Sequence, residues 1–298
     1  MKQKNTKYIV TLGILAMSAL LLGPAKPVLA ASLTIGDVNS INDKVDELNT
    51  IRDDNSISAP EKDVKEFQAQ QDILNGVIDL SENEVSSAKD QLNKLPEFNK
   101  DSAEQKLQSE YLTNLDTYNA YFESEREKIE TAASIDDLKN IASDIKTYRS
   151  NGYDDSLQNM VTFTLLYYSS DITTTAKTRL DKITSDIVKL QNAGLVKKSF
   201  DASSIDKAAG LISDATKLQE QAKALILEPV QVKDATDITS TDTEAVTKTT
   251  DAATTGTDTT IVPPTPRDLI ENSINDIKNA YNVFLQISKD VRSALGLK

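Results

Sequence analysis

Apolar residues recur along this chain at steps of three and four, the spacing that keeps side chains on one face of an α-helix. A short first stripe runs Val38, Ile41, Val45, Leu48. A second runs Val64, Phe67, Leu74, Ile78, Val85, Leu92 and Leu95, and a third Leu107, Tyr111, Leu115, Tyr118, Phe122 and Ile129. The fourth is short, with Ile135, Leu138, Ile141, Ile145 and Tyr148. The fifth keeps its step from Leu157 through Val161, Leu165, Tyr168, Ile172, Ala176, Leu180, Ile183 and Ile187 to Leu190. A helix from Tyr153 to Ala193 would be about 60 Å long. Its most apolar window, Met160 to Tyr168, also reads as a strand through Val161, Phe163 and Leu165, but the unbroken pattern on both sides favours helix. A sixth stripe carries Ile205, Ala208, Ile212, Ala215, Leu218, Ala222 and Leu225.

Helix boundaries are written beside these stripes. Ser58-Ala59-Pro60-Glu61, Asp101-Ser102-Ala103-Glu104, Ser134-Ile135-Asp136-Asp137, Ser203-Ser204-Ile205-Asp206 and Thr265-Pro266-Arg267-Asp268 each read as a capping box. The first side chain accepts from an orphan backbone N–H, and the acid three residues on complements the positive helix end. Leu95-Pro96, Gly152, Gly194 and Glu228-Pro229 read as stops.

Residues 228–265 change character. Thr, Asp and Ala dominate, large apolar side chains are almost absent, and the stretch ends Pro263-Pro264-Thr265-Pro266. Such a segment buries too little surface to offset its ordering entropy, so a disordered linker is expected. One more helix follows, with a stripe of Ile270, Ile274, Ile277, Tyr281, Phe284, Ser288, Val291 and Leu295. This heptad pattern predicts a docking face of Ile270, Ile274, Ile277, Tyr281, Phe284 and Val291, covered by the chain's own helices or by a partner.

The amino terminus carries an address. Lys2, Lys4 and Lys7 precede an apolar run from Ile9 to Leu22 that Gly23-Pro24 breaks, and Val28-Leu29-Ala30 places small side chains before Ala31. That is the pattern of an export signal cleaved after Ala30, with an apolar run too short for an ordinary membrane span. Its removal takes four lysines and no acids, leaving 29 basic against 46 acidic side chains, a net charge of −17. Such a surface repels nucleic acid and anionic lipid. Cysteine is absent, so neither a disulfide nor a lipid-modified cysteine is available. The end, Gly296-Leu297-Lys298, carries no sorting motif. Membrane association is therefore expected only if the signal stays uncut.

Composition also narrows the chemistry. With neither histidine nor cysteine, zinc, copper and iron sites built on those ligands are excluded, as are Ser-His and Cys-His nucleophiles. Ser86 to Lys89, Ser143 to Lys146 and Ser204 to Lys207 match the Ser-x-x-Lys spacing of penicillin-recognising enzymes, but the companion Ser-Asp-Asn and Lys-Thr-Gly elements are missing. The acid pairs Asp53-Asp54, Asp136-Asp137 and Asp154-Asp155 suit helix first turns better than hydrolysis or a calcium loop. No two glycines stand close enough to cradle a phosphate. No catalytic residue, cofactor or metal is assigned. The candidate ligand contacts are Tyr118, Tyr121, Tyr167 and Tyr168, near Phe122 and Phe163. Tyrosines stack on sugars or grip peptides, and at helical spacing they also serve as core.

Thr131-Ala132-Ala133-Ser134-Ile135-Asp136-Asp137-Leu138-Lys139, the break near Tyr148-Arg149, and the long helix ending Leu190-Gln191-Asn192-Ala193-Gly194 are followed by a capped return helix to Ala224. This stretch, about Ile129 to Ile226, resembles the secreted helical-hairpin proteins of small-genome candidate-phylum bacteria. It departs from them where Leu195 to Phe200 stand between the Gly and Asp201. The resemblance implies an exported helical hairpin with a docking C-terminal helix, and it implies no activity and no site residues. A slighter likeness to the three-helix surface modules of Gram-positive adhesins covers Ser134 to Ile145.

The expected fold is all-α: an elongated helical bundle with a long antiparallel hairpin and a tethered C-terminal helix. The expected parts are a signal peptide (1–30), an N-terminal helical region (31–133), the hairpin (134–227), the Thr/Asp-rich linker (228–265) and the amphipathic helix (266–298). The expected role is a non-catalytic structural or binding protein of the cell envelope or surface, partnered by an envelope protein or by itself. A chaperone or adaptor gripping clients between helices is the alternative within binding, and a carboxylate-based glycan hydrolase the alternative outside it.

Overall fold

The structure, a computed structural model, describes residues 35–194, 203–228 and 263–295. The export segment, the inserted Leu195 to Phe200 and nearly all of the Thr/Asp-rich stretch lie outside the described residues. Among the described residues the fold is all-α: α1 (Ile35–Asp53), α2 (Ala59–Asn93), α3 (Ala103–Thr131), α4 (Ile135–Tyr148), a kinked turn (Arg149–Tyr153), α5 (Asp154–Asn192), α6 (Ser203–Leu227) and α7 (Pro266–Ala294). The window from Met160 to Tyr168 is helix, not strand. No helix of the described residues is long and apolar enough to cross a membrane.

The capping signals act in three ways. Ser134 accepts from the Asp137 amide, and Asp137 accepts from the Ala133 amide. Thr265 and Asp268 complete a reciprocal box. At α3 the cap is Ser102 rather than Asp101, and Gln105 reaches back to the Asp101 amide at 2.7 Å. At α2, Ser58 occupies the cap position but accepts no side-chain bond, and Pro60 starts the helix by removing an N–H that would lack a partner. Lys62 meanwhile donates to the Arg52 and Asp54 carbonyls at the end of α1.

Packing divides the chain into two compact units, residues 1–167 and 168–298. The capping signals suggested a boundary at 133/134 instead. The observed division falls inside α5, where no breaker marks it, because side chains before and after Tyr167 belong to different cores. In the first unit α2 is central and packs against α1, α3 and α4. An added Cβ on Gly76 would lie 3.2 Å from the Ile41 side chain, so glycine there admits α1. Gln71 donates to the Ile129 carbonyl and Gln108 to the Leu92 carbonyl, satisfying acceptors near the ends of α3 and α2. The largest fully buried side chains of this unit include Ile78, Leu92, Leu115, Phe122, Ile129, Ile145, Tyr153 and Phe163.

The second unit is a three-helix core. Ala176, Leu180 and Ile187 of α5 meet Ala208, Ile212 and Ala215 of α6 and Ile277, Ala280, Phe284 and Ile287 of α7. These positions alternate steps of three and four on α6 and α7, and on α5 the partly buried Ile183 completes the same alternation, as a coiled-coil seam requires. Gln219 Nε2 donates to Thr173 Oγ1 at 2.8 Å and to Ser273 Oγ at 2.7 Å, a buried polar layer across all three helices. From that layer Arg179 rises to stack on Tyr281, at 5.2 Å from guanidinium to ring. Helix α7 therefore runs parallel to α5.

The α7 seam is shifted from the stripe read in the sequence. Ile270, Ile277 and Phe284 are buried, but Ser273, Ala280 and Ile287 complete the seam. Ile274, Tyr281 and Val291 are half-buried at its margin, and Ser288 faces solvent. Alanines at 208, 215 and 222, facing Ser273 and Ala280, let α6 and α7 approach closely. Small side chains hold the seam where large ones would force the backbones apart.

Candidate functional site

The feature with most chemistry lies in the first unit, where α4 gives way to α5. Five residues, Arg149 to Tyr153, form a kink between the two helices, with Asn151 and Gly152 outside helical dihedrals. Gly152 sits at φ +129°, which an L side chain adopts only under strain. This break in the helical period turns Tyr153 into the core, where it is 2 % exposed. Its hydroxyl donates to Glu84 Oε2 at 3.0 Å. Arg149 comes in beside it. Its Nη1 donates to Glu84 Oε2 at 2.9 Å and to Ser81 Oγ at 2.8 Å, and its Nη2 pairs with Asp154 at 3.1 Å. The guanidinium lies 4.8 Å from the centre of the Tyr153 ring. A buried ion pair thus fixes the floor of the turn from α2.

Above that floor is an open groove of about 400 Å³, lined by Tyr118 and Tyr121 of α3, Asp144, Thr147 and Tyr148 of α4, and Asn151, Gly152 and Tyr153 of the turn. Tyr121 and Tyr148 stack face to face, 12° from parallel. Tyr118 stands edge-on to Tyr148 and to Tyr153, with ring centres 6.1 and 5.0 Å apart. Phe122 closes the inner side against Tyr148 and Tyr153. Burial, followed by the carboxylates of Glu125 and Asp144, pushes the Tyr121 phenol up from its ordinary range. Burial does the same to Tyr148, with the Tyr118 ring adding to it. The phenols of Tyr121 and Tyr148 are thus held in their neutral form, and Asp144 is the acidic side chain of the lining.

The four tyrosines singled out in the sequence separate. Tyr118 and Tyr121 line the groove. Tyr167 belongs to another cluster, 4.8 Å from Phe98 and 5.1 Å from Phe163 between ring centres, with Tyr111 beyond Phe163. Its hydroxyl is buried without a hydrogen-bond partner among the described residues, and burial raises its pKa. Tyr167 is thus a core residue rather than a groove contact. Tyr168 is 36 % exposed and begins the second unit. Tyr148 and Tyr153 also line the groove and are not among the ligand contacts expected from the sequence. Their signal was the pair of tyrosines flanking the Gly152 break.

The predicted docking face of the last helix is occupied: Ile270, Ile277 and Phe284 are buried, and the seam packs on α5 and α6 of the same chain. Among the described residues no three His, Cys, Asp or Glu side chains gather as a metal site would require. The chain matches no family model, no curated protein and no solved structure.

Proposed function

We propose that this chain is an exported, non-catalytic binding protein of the cell envelope or surface, and that it engages its partner through the tyrosine groove of its first unit. One observation carries the reading: three half-buried tyrosines and an exposed carboxylate share a concave surface over a rigid, ion-paired floor. Aromatic side chains that keep one face accessible offer large contact area at low conformational cost, the usual property of binding anchors. The basic, apolar and small-residue order of residues 2–31 supports export. The lack of histidine and cysteine supports binding over catalysis.

The test is retention of the purified chain from Ala31 onward on isolated envelopes of the producing cells. Retention should be saturable, and Tyr121→Leu should lower it by about tenfold, the scale of a lost aromatic anchor. Undiminished retention of a folded Tyr121→Leu protein would remove the groove from the reading. Hydrolysis of envelope glycan or peptide by the same preparation, abolished by changing one acid pair, would replace binding with catalysis.

A further inference from the structure

We infer that the tyrosine groove takes a guanidinium, the side chain of an arginine on a basic partner polypeptide. The inference rests on the binding reading above and supplies the chemistry of the ligand. No lysine or arginine lines the groove. Asp144 is exposed on its wall and has no hydrogen-bond or ion-pair partner among the described residues. Two cations of the surrounding network are already engaged. Arg149 is held by Glu84 and Asp154, and Lys128, which feels the Asp144 charge, is held by Glu125 at 2.7 Å. A carboxylate with no direct partner thus stands beside half-buried rings, and Lys128 acts on it only through space.

The protein displays the complementary pairing one layer deeper. Arg149 stacks on Tyr153 with carboxylates at its ends, and in the second unit Arg179 stacks on Tyr281. Tyr118, Tyr121, Tyr148 and Asp144 offer an incoming guanidinium the same two elements, an aromatic face and an acid. A planar, weakly hydrated guanidinium stacks on tyrosine better than a compact ammonium does. The field of the whole molecule, at a net charge of −13 for the full chain, draws a basic partner in. A neutral sugar would use the ring faces but leave the Asp144 charge unused.

Titration calorimetry at low salt tests this with the chain from Ala31 onward. The probe is the blocked peptide Gly-Arg-Gly-Arg-Gly, compared with the same peptide carrying citrulline, which keeps the shape and loses the charge. The arginine peptide should bind at least about fivefold more tightly, as expected for a half-desolvated cation on an aromatic face. Asp144→Asn, an exposed substitution that leaves packing intact, should cut that ratio to about twofold or less, and added salt should shrink it further. Tyr121→Leu should weaken the arginine peptide more than the citrulline one. Equal affinities for the two peptides overturn the inference, as does a ratio that neither substitution moves. Binding of an N-acetylglucosamine trimer without binding of the arginine peptide also overturns it. If the peptide fails while envelope retention still depends on Tyr121, the guanidinium is wrong and the binding reading stands. If retention fails too, both fall.

Discussion

Replacing Arg149 with methionine tests the floor of the groove directly. The side chain is buried beside Glu84, and the pair is closed by Ser81, Asp154 and the Tyr153 hydroxyl. Methionine keeps much of the length and removes the charge. Glu84, whose side chain is 7 % exposed, is then left with only the Tyr153 hydroxyl donating to it. Breaking a buried pair on one side costs about 3–5 kcal/mol, because the surviving charge stays desolvated. With a urea slope of about 2 kcal/mol/M, the midpoint of the first unit should fall by about 1.5–2.5 M. Near-UV circular dichroism of the groove tyrosines follows that unit. The double variant Arg149→Met/Glu84→Leu removes both charges and should recover most of the loss, since a packed apolar pair is often as stable as a buried ionic one. A single substitution costing less than about 1 kcal/mol would show that water reaches the pair. A double variant as unstable as the single would show that the cost comes from packing at the kink between α4 and α5.

Two further outcomes follow from the packing and the phenols. In the last helix, Ile287→Ala should cost about 2–5 kcal/mol while Ser288→Ala stays within about 0.5 kcal/mol, measured by thermal unfolding; the reverse order would restore the stripe read from the sequence. Alkaline pH should unfold the first unit. Burial raises the Tyr111 phenol from 10.0 to about 12, and it also raises Tyr121, Tyr148, Tyr153 and Tyr167. A raised folded pKa means the native state holds its protons longer. The stabilisation is therefore complete below pH 10, the unfolded value, and is lost as pH climbs from there through 12. Tyrosinate absorbance and helical signal should change together in that window; ionisation near pH 10 with the helices intact would refute it.

The elements were legible because caps and stripes state them locally. Ser134, Thr265 and Gly194 stand where helices begin or end, and the long fifth helix, expected from Tyr153 to Ala193, spans Asp154–Asn192. The phase of the last helix was not legible. A scan for large apolar residues favours Ile274 and Tyr281, whereas a close helix pair selects Ser273 and Ala280. Those small residues look uninformative until a neighbour is known. The groove was half legible for a related reason. Tyr118 and Tyr121 share a helix face, but Tyr148 and Tyr153 join them through a five-residue turn that breaks the period used to read the chain. Nothing in the local spacing marks Glu84 and Arg149 as a buried ion pair.

The placement of α7 also sets the order of folding events. Ile277, Ala280, Phe284 and Ile287 form one wall of the second core, against walls supplied by α5 and α6. Until residues 266–294 have been synthesised, the seam alanines and isoleucines of α6 have no third helix to cover them. That half of the molecule cannot close its core before α7 is made, although the first unit has all its helices by then. Chains fold domain by domain from the N-terminus during synthesis. Here the second unit closes only once its last helix is made, after the helices of the first unit are complete.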